Sequence, residues 1–371
     1  MREAFVPDDL PPPIEYSTDL ALLVAEAERS LGAAAHIADS LPEPKLITEP
    51  FIRMEAVLSS RIEGTQTTPE ELFQAEAIDI PLERRDTRET VNYVQALEWG
   101  HAAVRARPLD LNQDLACRLH RRLFEGIRDG SGGLGRYREA TVWLGRRGRS
   151  IQHASYVPPP WQQVQPLMAD WERYVADCLQ EAARVRAPRL VQCAVLHVQF
   201  EMIHPFIDGN GRVGRLLAGL FLVACGHLSE PLLLLSPYLE ANRHEYYDRL
   251  LAISEAGDWS GWLTFFLEAV RHQSDRTLEA ARSLMDLRDR WRAVLQQAGA
   301  PAYVLALADE LFRNPYTTTR RVQTQLGVSF PTAQKALRQL AEHGLVEEIT
   351  GQKRNQRFCA TEVLRAIAAL E

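Results

Sequence analysis

The sequence predicts a mainly α-helical protein, and three observations support this fold class. Apolar residues recur at helical spacing over most of the chain. One stretch, residues 141–158, has the character of two short strands joined by a turn. Residues 301–371 follow the pattern of three helices and then two strands. We therefore expect a helical core with an inserted β-hairpin, followed by a helix-turn-helix unit.

Length and composition divide the chain into several parts. A chain of 371 residues exceeds the usual size of one domain. We expect an N-terminal helical region at 1–110, a central domain at 111–272, a helical linker at 273–300 and a C-terminal domain at 301–371. Hydrophobic residues make up 46% of the chain, and no apolar stretch approaches the roughly 20 residues of a membrane span. No secretory signal is visible and five scattered cysteines indicate reduced thiols, so we expect a cytoplasmic protein without a membrane segment.

The N-terminal region begins with an extended arm and continues as helices. Pro7 to Pro13 cannot be helical because proline removes backbone donors. The predicted helices, in chain order, are Asp19 to Ser40, Glu49 to Ile62, Thr87 to Val104 and Asp110 to Leu123. Gly64 can end the second of them as a left-handed residue. Helices resume at Trp161 to Glu181 and Arg189 to Met202.

The most informative segment is His204 to Arg215, which combines a base, a carboxylate, a glycine-rich turn and two arginines. Gly209, Asn210 and Gly211 can direct backbone N–H groups at an anion as the next helix begins. Arg212 and Arg215 lie three residues apart and can face the same anion. Asp208 is a hard oxygen ligand suited to Mg²⁺, and His204 can abstract a proton near neutral pH. Each residue taken singly has an ordinary structural interpretation, but together they indicate a phosphate site.

This segment resembles the signature HPFx[DE]GNGRxxR of Fic domains, a family of AMP-transferring enzymes, at every fixed position. The resemblance implies a Fic-type helical core over 111–272 that uses ATP and Mg²⁺. It implies that His204 is the catalytic base, that Asp208 holds the metal, and that Arg212 and Arg215 hold the β- and γ-phosphates. The target would be a Ser, Thr or Tyr hydroxyl of another protein.

The end of the second helix resembles the self-inhibiting helix of many Fic proteins. Ser59, Glu63 and Gly64 fit its pattern [ST]xxxE[GN], within a helix expected at about 49–64. In the family this glutamate pairs with the second signature arginine, here Arg215, and so denies it to the γ-phosphate. By itself the pattern is that of an ordinary helix end with a solvated glutamate.

Two further segments receive a role from the resemblance. The predicted hairpin at 141–158 would be the flap that lies over the active site and pairs with the target protein as an added strand. Tyr238, Asn242 and Tyr246 lie four residues apart, so on one helix they could bind adenine. A core aromatic stripe is the competing interpretation of these three residues.

The C-terminal order of helix, helix-turn-helix and two strands resembles a winged helix. Lys335 and Arg338 lie on the exposed side of its third helix, and Lys353 and Arg354 lie at the wing tip, where they could contact DNA. Residues 301–371 carry nine basic and seven acidic residues, and the whole chain has a net charge of −7, so the electrostatic signal is weak. Docking of a protein, including formation of a homodimer, stays open for this domain.

These observations together predict a protein adenylyltransferase that transfers AMP from Mg-ATP to a protein hydroxyl and is inhibited by its own Glu63. One alternative is a DNA-bound transcriptional regulator whose Fic domain senses nucleotide. Another is an enzyme that removes AMP, for which Glu63 would position a water molecule. The sequence specifies neither the target protein nor the operator.

Overall fold

The computed structural model describes residues 3–41, 43–78, 84–127, 133–145 and 151–370. The described residues are mainly helical, as predicted. The helices of the first half are α1 (Thr18–Ser40), α2 (Lys45–Ile62), α3 (Pro69–Ala77), α4 (Arg85–Ala106), α5 (Gln113–Leu123), α6 (Trp161–Leu179), α7 (Arg189–Ile203) and α8 (Asn210–Ala224). Those of the second half are α9 (Ser236–Ala241), α10 (Arg243–Ala256), α11 (Trp259–Gln297), α12 (Ala302–Arg313), α13 (Thr319–Leu326), α14 (Phe330–Glu342) and α15 (Thr361–Ala368). No described helix is long and apolar enough to cross a membrane.

Helices α7 and α8 form the centre of the larger core. Nearly every residue of both is buried, as expected of helices that are apolar on all sides. Trp171 of α6 and Trp262 of α11 pack against α7 and donate their indole N–H groups to the carbonyls of Leu196 and Ala194, at 2.9 and 3.1 Å. Because both indole N–H groups are hydrogen-bonded, neither is buried without a partner, and the two tryptophans fix the position of α7 against α6 and α11.

Helix α11 is one continuous helix of 39 residues. The helical linker predicted at 273–300 is therefore wrong as a separate element. No proline or glycine lies between residues 262 and 298, so nothing breaks the helix. The segment predicted as a linker, 273–300, is largely the second half of α11 and buries apolar residues such as Leu284 and Trp291.

The C-terminal unit joins α12–α15 to a three-stranded antiparallel sheet. Its strands are β1 (Tyr316–Thr318), β2 (Glu347–Glu348) and β3 (Arg357–Cys359), in the order β1-β3-β2. A left-handed Gly327 makes the turn between α13 and α14. The predicted pattern of three helices and then two strands is wrong in one respect: a strand at 316–318 pairs with β3, and the second helix begins after it, at Thr319. The assignment of this unit as a winged helix stays a prediction.

Helix α2 is shared by the two hydrophobic cores. Ala56 and Val57 pack into the larger core, whereas Phe51, Met54 and Leu58 pack with the C-terminal unit. The helix begins at residue 45, one turn before the predicted start at residue 49, directly after Pro44. One helix thus connects the larger core to residues 301–371.

The predicted flap hairpin is wrong in its extent. Among the described residues of 141–158, a single antiparallel bridge joins Leu144 to Tyr156, and residues 151–153 form a turn of 3₁₀ helix. The basic turn predicted at 146–149 lies outside the described residues. Three consecutive prolines at 158–160 supply no N–H group, which prevents a longer ladder.

Candidate active site

The loop between α7 and α8 is closed by its own side chains. Helix α7 ends at His204, whose backbone is left-handed with φ of 49°, and α8 begins after Gly209, with φ of 81°. The amide of Asn210 brackets the loop: its oxygen accepts from the N–H of Phe206 at 2.8 Å and its nitrogen donates to the Phe206 carbonyl at 2.9 Å. The Asn210 side chain therefore shapes the loop, and only its backbone N–H is available to a ligand.

The first turn of α8 offers a cradle for an anion. The Val213 N–H makes the first bond of the helix, to the Gly209 carbonyl at 3.1 Å. The N–H groups of Asn210, Gly211 and Arg212 precede that bond and have no carbonyl within the helix to bond. These donors and the positive end of the helix dipole favour a phosphate group here.

Asp208 is held in place by a histidine that the sequence analysis did not single out. The His120 ring stacks on Phe206 with centroids 4.0 Å apart. Its Nδ1 accepts from the Gly135 N–H at 2.9 Å, so its Nε2 carries the proton donated to the Asp208 carbonyl oxygen, 3.1 Å away. The Asp208 carboxylate remains accessible. His120 lies on the regular face of a predicted helix, so no sequence signal marks it.

His204 has the geometry of a base. Its Nδ1 lies 3.3 Å from the Glu201 carbonyl oxygen, which can only accept, so Nδ1 carries the proton and Nε2 is the basic nitrogen. Burial lowers the pKa of His204 to about 4, with a further lowering by the Arg138 guanidinium. The ring lines a cavity of about 560 Å³. The residues that line this cavity with it include Glu63, Tyr156, Glu201, Gly211, Arg215 and Tyr247.

Arg215 is hydrogen-bonded to residues at the C-terminal end of α2. Its side chain is 1% exposed; Nη2 donates to Glu63 Oε1 at 2.8 Å and to the Ser59 carbonyl at 2.9 Å, and Nε donates to Ser59 Oγ at 2.8 Å. Its Nη1 is buried without a hydrogen bond among the described residues. The structure thus brings together Ser59, Glu63 and Arg215, the three residues that the sequence analysis linked. Gly64 follows with φ of 99°, a left-handed backbone that favours glycine.

The Glu63 carboxylate lies directly over the first turn of α8. A Cβ atom on Gly211 would come within 2.2 Å of Glu63 Oε1 and 2.9 Å of Arg215 Nη1. The carboxylate therefore occupies the space beside the anion cradle, and glycine at 211 permits it to lie there.

Arg212 has a carboxylate partner from α4 that the sequence analysis missed. Its Nη1 donates to Glu89 Oε2 at 2.6 Å, both side chains are buried, and its guanidinium lies over the Phe124 ring at 4.9 Å. Arg85 bonds the other oxygen of Glu89 at 3.0 Å. Arg212 is therefore fixed in orientation, with Nε left buried and without a hydrogen bond among the described residues. A glutamate within a helical pattern gives no sign of such a distant partner.

Glu201 is a second buried carboxyl group in the cavity wall. Burial raises its pKa to about 8, the charge of Arg215 opposes this, and the charge of Glu63 adds to it. Its Oε1 has no hydrogen bond among the described residues and would lie 2.3 Å from a Cβ on Gly214. Burial therefore favours the neutral, protonated form of this carboxyl in the folded chain.

Comparison with known families agrees with this geometry. Residues 110–222 match the model of the Fic/DOC family, and residues 21–102 match the model of the Fic/DOC family N-terminal region. This chain belongs to the Fic/DOC family. The two matches together span α1 to α8, which includes Glu63, Glu89 and the whole signature of the Fic site.

Similar proteins include named adenylyltransferases. The protein adenylyltransferase Fic of Culex quinquefasciatus is 28% identical over 166 residues, which are 45% of this chain and 29% of that protein. A probable protein adenylyltransferase of Aquifex aeolicus (strain VF5) is 28% identical over 140 residues, 34% of this chain and 42% of that protein. The matched region is therefore less than half of either relative.

Solved structures share the fold. The crystal structure of a Fic family protein from Desulfovibrio desulfuricans G20 matches with a TM-score of 0.59 at 24% identity, covering 94% of this chain and 98% of that one. Fic-1 from C. elegans matches with a TM-score of 0.54 at 20% identity, covering 71% of this chain and 74% of that one. At these identities the likeness concerns the fold alone.

The Fic site differs from expectation at the predicted adenine residues. Tyr238, Asn242 and Tyr246 do not share one helix, because the chain breaks at Asn242 between α9 and α10. Tyr246 is buried in an aromatic cluster, and its hydroxyl lies 3.1 Å from His197 Nε2, although it also lines the cavity. Tyr238 packs on Phe265 with centroids 5.7 Å apart. Adenine binding by these residues stays a prediction.

Asp208 is the one residue predicted to bind a metal ion. No group of three or more His, Cys, Asp or Glu side chains in the described chain could hold a metal ion alone. Asp208 offers one accessible carboxylate, which fits Mg²⁺ when phosphates and water supply its other ligands.

The predicted DNA contacts are exposed on α14 and on the β2–β3 connection, at Lys335, Arg338, Lys353 and Arg354. Their contact with DNA stays a prediction.

Proposed function

We propose that this protein is a protein adenylyltransferase, which transfers AMP from ATP to a hydroxyl group of a target protein. The observation that carries the proposal is one cavity that holds a histidine base, the free N–H groups of a helix N-terminus and an arginine. These groups match the demands of attack at a phosphorus atom: a base for the nucleophile, donors for the phosphate oxygens and a cation for the departing charge.

In the proposed reaction the target hydroxyl oxygen attacks the α-phosphorus of ATP. The new bond joins that oxygen to phosphorus, the bond to the bridging oxygen breaks, and pyrophosphate leaves. Nε2 of His204 takes the hydroxyl proton, since Nδ1 already carries one. Gly211 and its neighbours in the first turn of α8 bind phosphate oxygens, and Arg212 and Arg215 bind the distal phosphates.

Asp208 would hold Mg²⁺ together with phosphate oxygens. The bound ion would neutralise charge that develops on the phosphates. The anchored carbonyl of Asp208, bonded to His120, keeps the carboxylate at the mouth of the cradle.

The contact between Glu63 and Arg215 supports self-inhibition. Glu63 Oε1 accepts a hydrogen bond from Arg215 Nη2, the group that would bind the terminal phosphate. The same oxygen occupies the space beside Gly211. A triphosphate cannot occupy the same space, so ATP would bind in a pose unsuited to transfer until Glu63 withdraws.

The test is transfer of label from α-labelled ATP with Mg²⁺ to the protein itself or to a cell lysate. We expect no label with wild type, label with Glu63→Gly, and none with Glu63→Gly combined with His204→Ala. Glu63→Gln is the matched variant: it fills the same space without the charge, so it separates charge pairing from occlusion. No label with any variant, while ATP still binds, would refute transfer and favour the nucleotide-sensing regulator.

Removal of AMP is the competing activity for the same cavity. Glu63 is 26% exposed and lines the cavity with His204, so it could orient a water molecule there. Under that alternative Glu63→Gly lowers the removal of AMP from a labelled target. Under the proposal it raises transfer, and one labelled target measures both.

The target protein would dock beside the Leu144–Tyr156 bridge. Beside this bridge Trp143 and Leu144 are 44% and 38% exposed, so they offer apolar surface on which an extended segment of the target could pack. The exposed polar side of α14 supports DNA or protein binding by residues 301–371. Gel-shift titration of Arg354→Ala against wild type tests the DNA interpretation.

A further inference from the structure

Arg138 is a buried arginine that lies outside the signature and outside the proposed chemistry. It is 2% exposed, and in the described part of the chain no carboxylate lies within ion-pair distance of it. Its guanidinium instead donates to four backbone carbonyls. These are His204 at 2.9 Å, Pro159 at 2.7 Å, Ala140 at 3.1 Å and Ile203 at 3.4 Å. Burial lowers the pKa of Arg138, and these carbonyl dipoles compensate for part of the lost solvation.

Two of the four carbonyls end helix α7. The last carbonyls of a helix lack partners within it and lie at the negative end of its dipole, so a cation stabilises them. Arg138 Nε bonds the carbonyl of His204 itself, whose left-handed backbone is unfavourable for a residue other than glycine. This contact holds the backbone from which the imidazole extends.

The other two carbonyls flank the flap region, residues 141–158. Ala140 precedes it and Pro159 follows it, so one guanidinium joins both ends. The Tyr156 hydroxyl adds a bond to the Met202 carbonyl at 2.8 Å, and the backbone N–H of Arg138 donates to the Pro205 carbonyl at 2.9 Å. The flap ends and the His204 loop thus share one attachment point.

We propose that Arg138 is a positioning residue that fixes His204 and the flap in one relative orientation, so that the base and the docked hydroxyl meet. The role follows from the planar guanidinium, which can reach carbonyls on three segments at once; a lysine ammonium cannot reproduce that fork. The inference rests on the proposed function for its catalytic readout. Its structural readouts are independent of that function.

The experiment compares Arg138→Gln, Arg138→Lys and the matched control Arg136→Gln in the full chain. Arg136 is exposed on the same loop, two residues earlier. Three quantities are measured: the pKa of His204 by NMR titration, hydrogen exchange at the Leu144 and Tyr156 amides, and kcat and KM for ATP in the Glu63→Gly background.

Arg138→Gln is expected to lower kcat by about 100-fold, the loss typical of a small misplacement of a reacting group, with KM for ATP nearly unchanged. The pKa of His204 should rise but stay below its ordinary value, because burial lowers it most and the Arg138 charge adds to that lowering. Exchange at Leu144 and Tyr156 should accelerate. Arg138→Lys should keep the pKa of His204 low but lose exchange protection and part of kcat. Arg136→Gln should resemble its parent in all three.

Several outcomes would overturn the proposal. They are an unchanged kcat with Arg138→Gln, a rise in KM for ATP that accounts for the whole loss, or a loss of kcat with flap exchange unchanged. Should Arg138→Gln not fold, Arg138→Lys decides, since full kcat with full protection would overturn the proposal. Absence of transfer by the Glu63→Gly parent would instead refute the proposed function, while titration and exchange would still decide the role of Arg138.

Discussion

Gly211→Ala is the substitution whose effect the geometry specifies most closely. Gly211 lies in the first turn of α8 with an ordinary helical backbone, so alanine is permitted there by conformation. Its methyl group would lie 2.2 Å from Glu63 Oε1. Carbon and oxygen atoms do not approach so closely, so the flexible end of Glu63 must leave, and the contact with Arg215 must break.

The magnitude follows from the hydrogen bond that breaks and from the helix propensity of the new residue. A hydrogen bond to a charged group contributes about 1.5–3 kcal/mol, and partial exposure of Glu63 places this one near the lower end. Arg215 keeps both bonds to Ser59. Replacing glycine with alanine in a helix returns about 0.5–1 kcal/mol. The free energy of unfolding of Gly211→Ala should therefore fall by about 1 kcal/mol in the wild-type background.

The effect of Gly211→Ala on the free energy of unfolding should change sign when Glu63 is absent. In Glu63→Gly the nearest atom to the methyl group is Arg215 Nη1, at the end of a long side chain, so Gly211→Ala should stabilise by up to about 0.5 kcal/mol. The assay is urea unfolding of wild type, both single variants and the double variant, followed by fluorescence and circular dichroism. A coupling energy within about 0.3 kcal/mol of zero would refute the reasoning, since the methyl group would then not displace Glu63.

The remaining predictions concern the buried charges of the site. Glu89→Ala leaves Arg212 buried without its carboxylate, so the free energy of unfolding should fall by about 3 kcal/mol in urea unfolding; Glu89→Gln, which keeps a hydrogen bond, should lose less. Glu201 has its pKa raised to about 8 in the folded chain, so its contribution to stability is full below about pH 4.5 and is lost as the pH rises through 8. The stability of Glu201→Gln relative to wild type should therefore increase from pH 5 to pH 8 in urea titrations, and a constant difference would contradict this. In the Glu63→Gly background, the acid limb of the pH–rate profile should lie near the lowered pKa of His204, about 4, and a limb near 6.5 would show that the ring is solvated.

Residues whose role depends on local spacing could be predicted from the sequence. The helical period indicated the existence of most helices, and the glycine-rich turn located the start of α8. The pairing of Glu63 with Arg215 was expected only through the family resemblance, because no local pattern connects residues so far apart.

Features that depend on distant partners could not be predicted. The strand at Tyr316–Thr318 forms because β3 lies beside it, whereas its neighbours in sequence favour helix. The break at Asn242 lies between two stretches of good helix formers. Arg138 and Glu89 are charged residues in ordinary positions, and only the folded chain shows that the first is bonded by carbonyls and the second by Arg212.

Burial of α2 on two sides limits how this protein can change over evolutionary time. Each residue added to or removed from the helix turns everything beyond it by about 100°. A single insertion before residue 59 would therefore break one of two sets of contacts. Either Glu63 would rotate away from Arg215, or Phe51, Met54 and Leu58 would rotate out of the C-terminal unit. Contacts with the larger core and with residues 301–371 thus fix the rotation of α2 about its axis. Insertions and deletions must therefore lie beyond the last turn of α2, or be accompanied by changes in both parts of the chain.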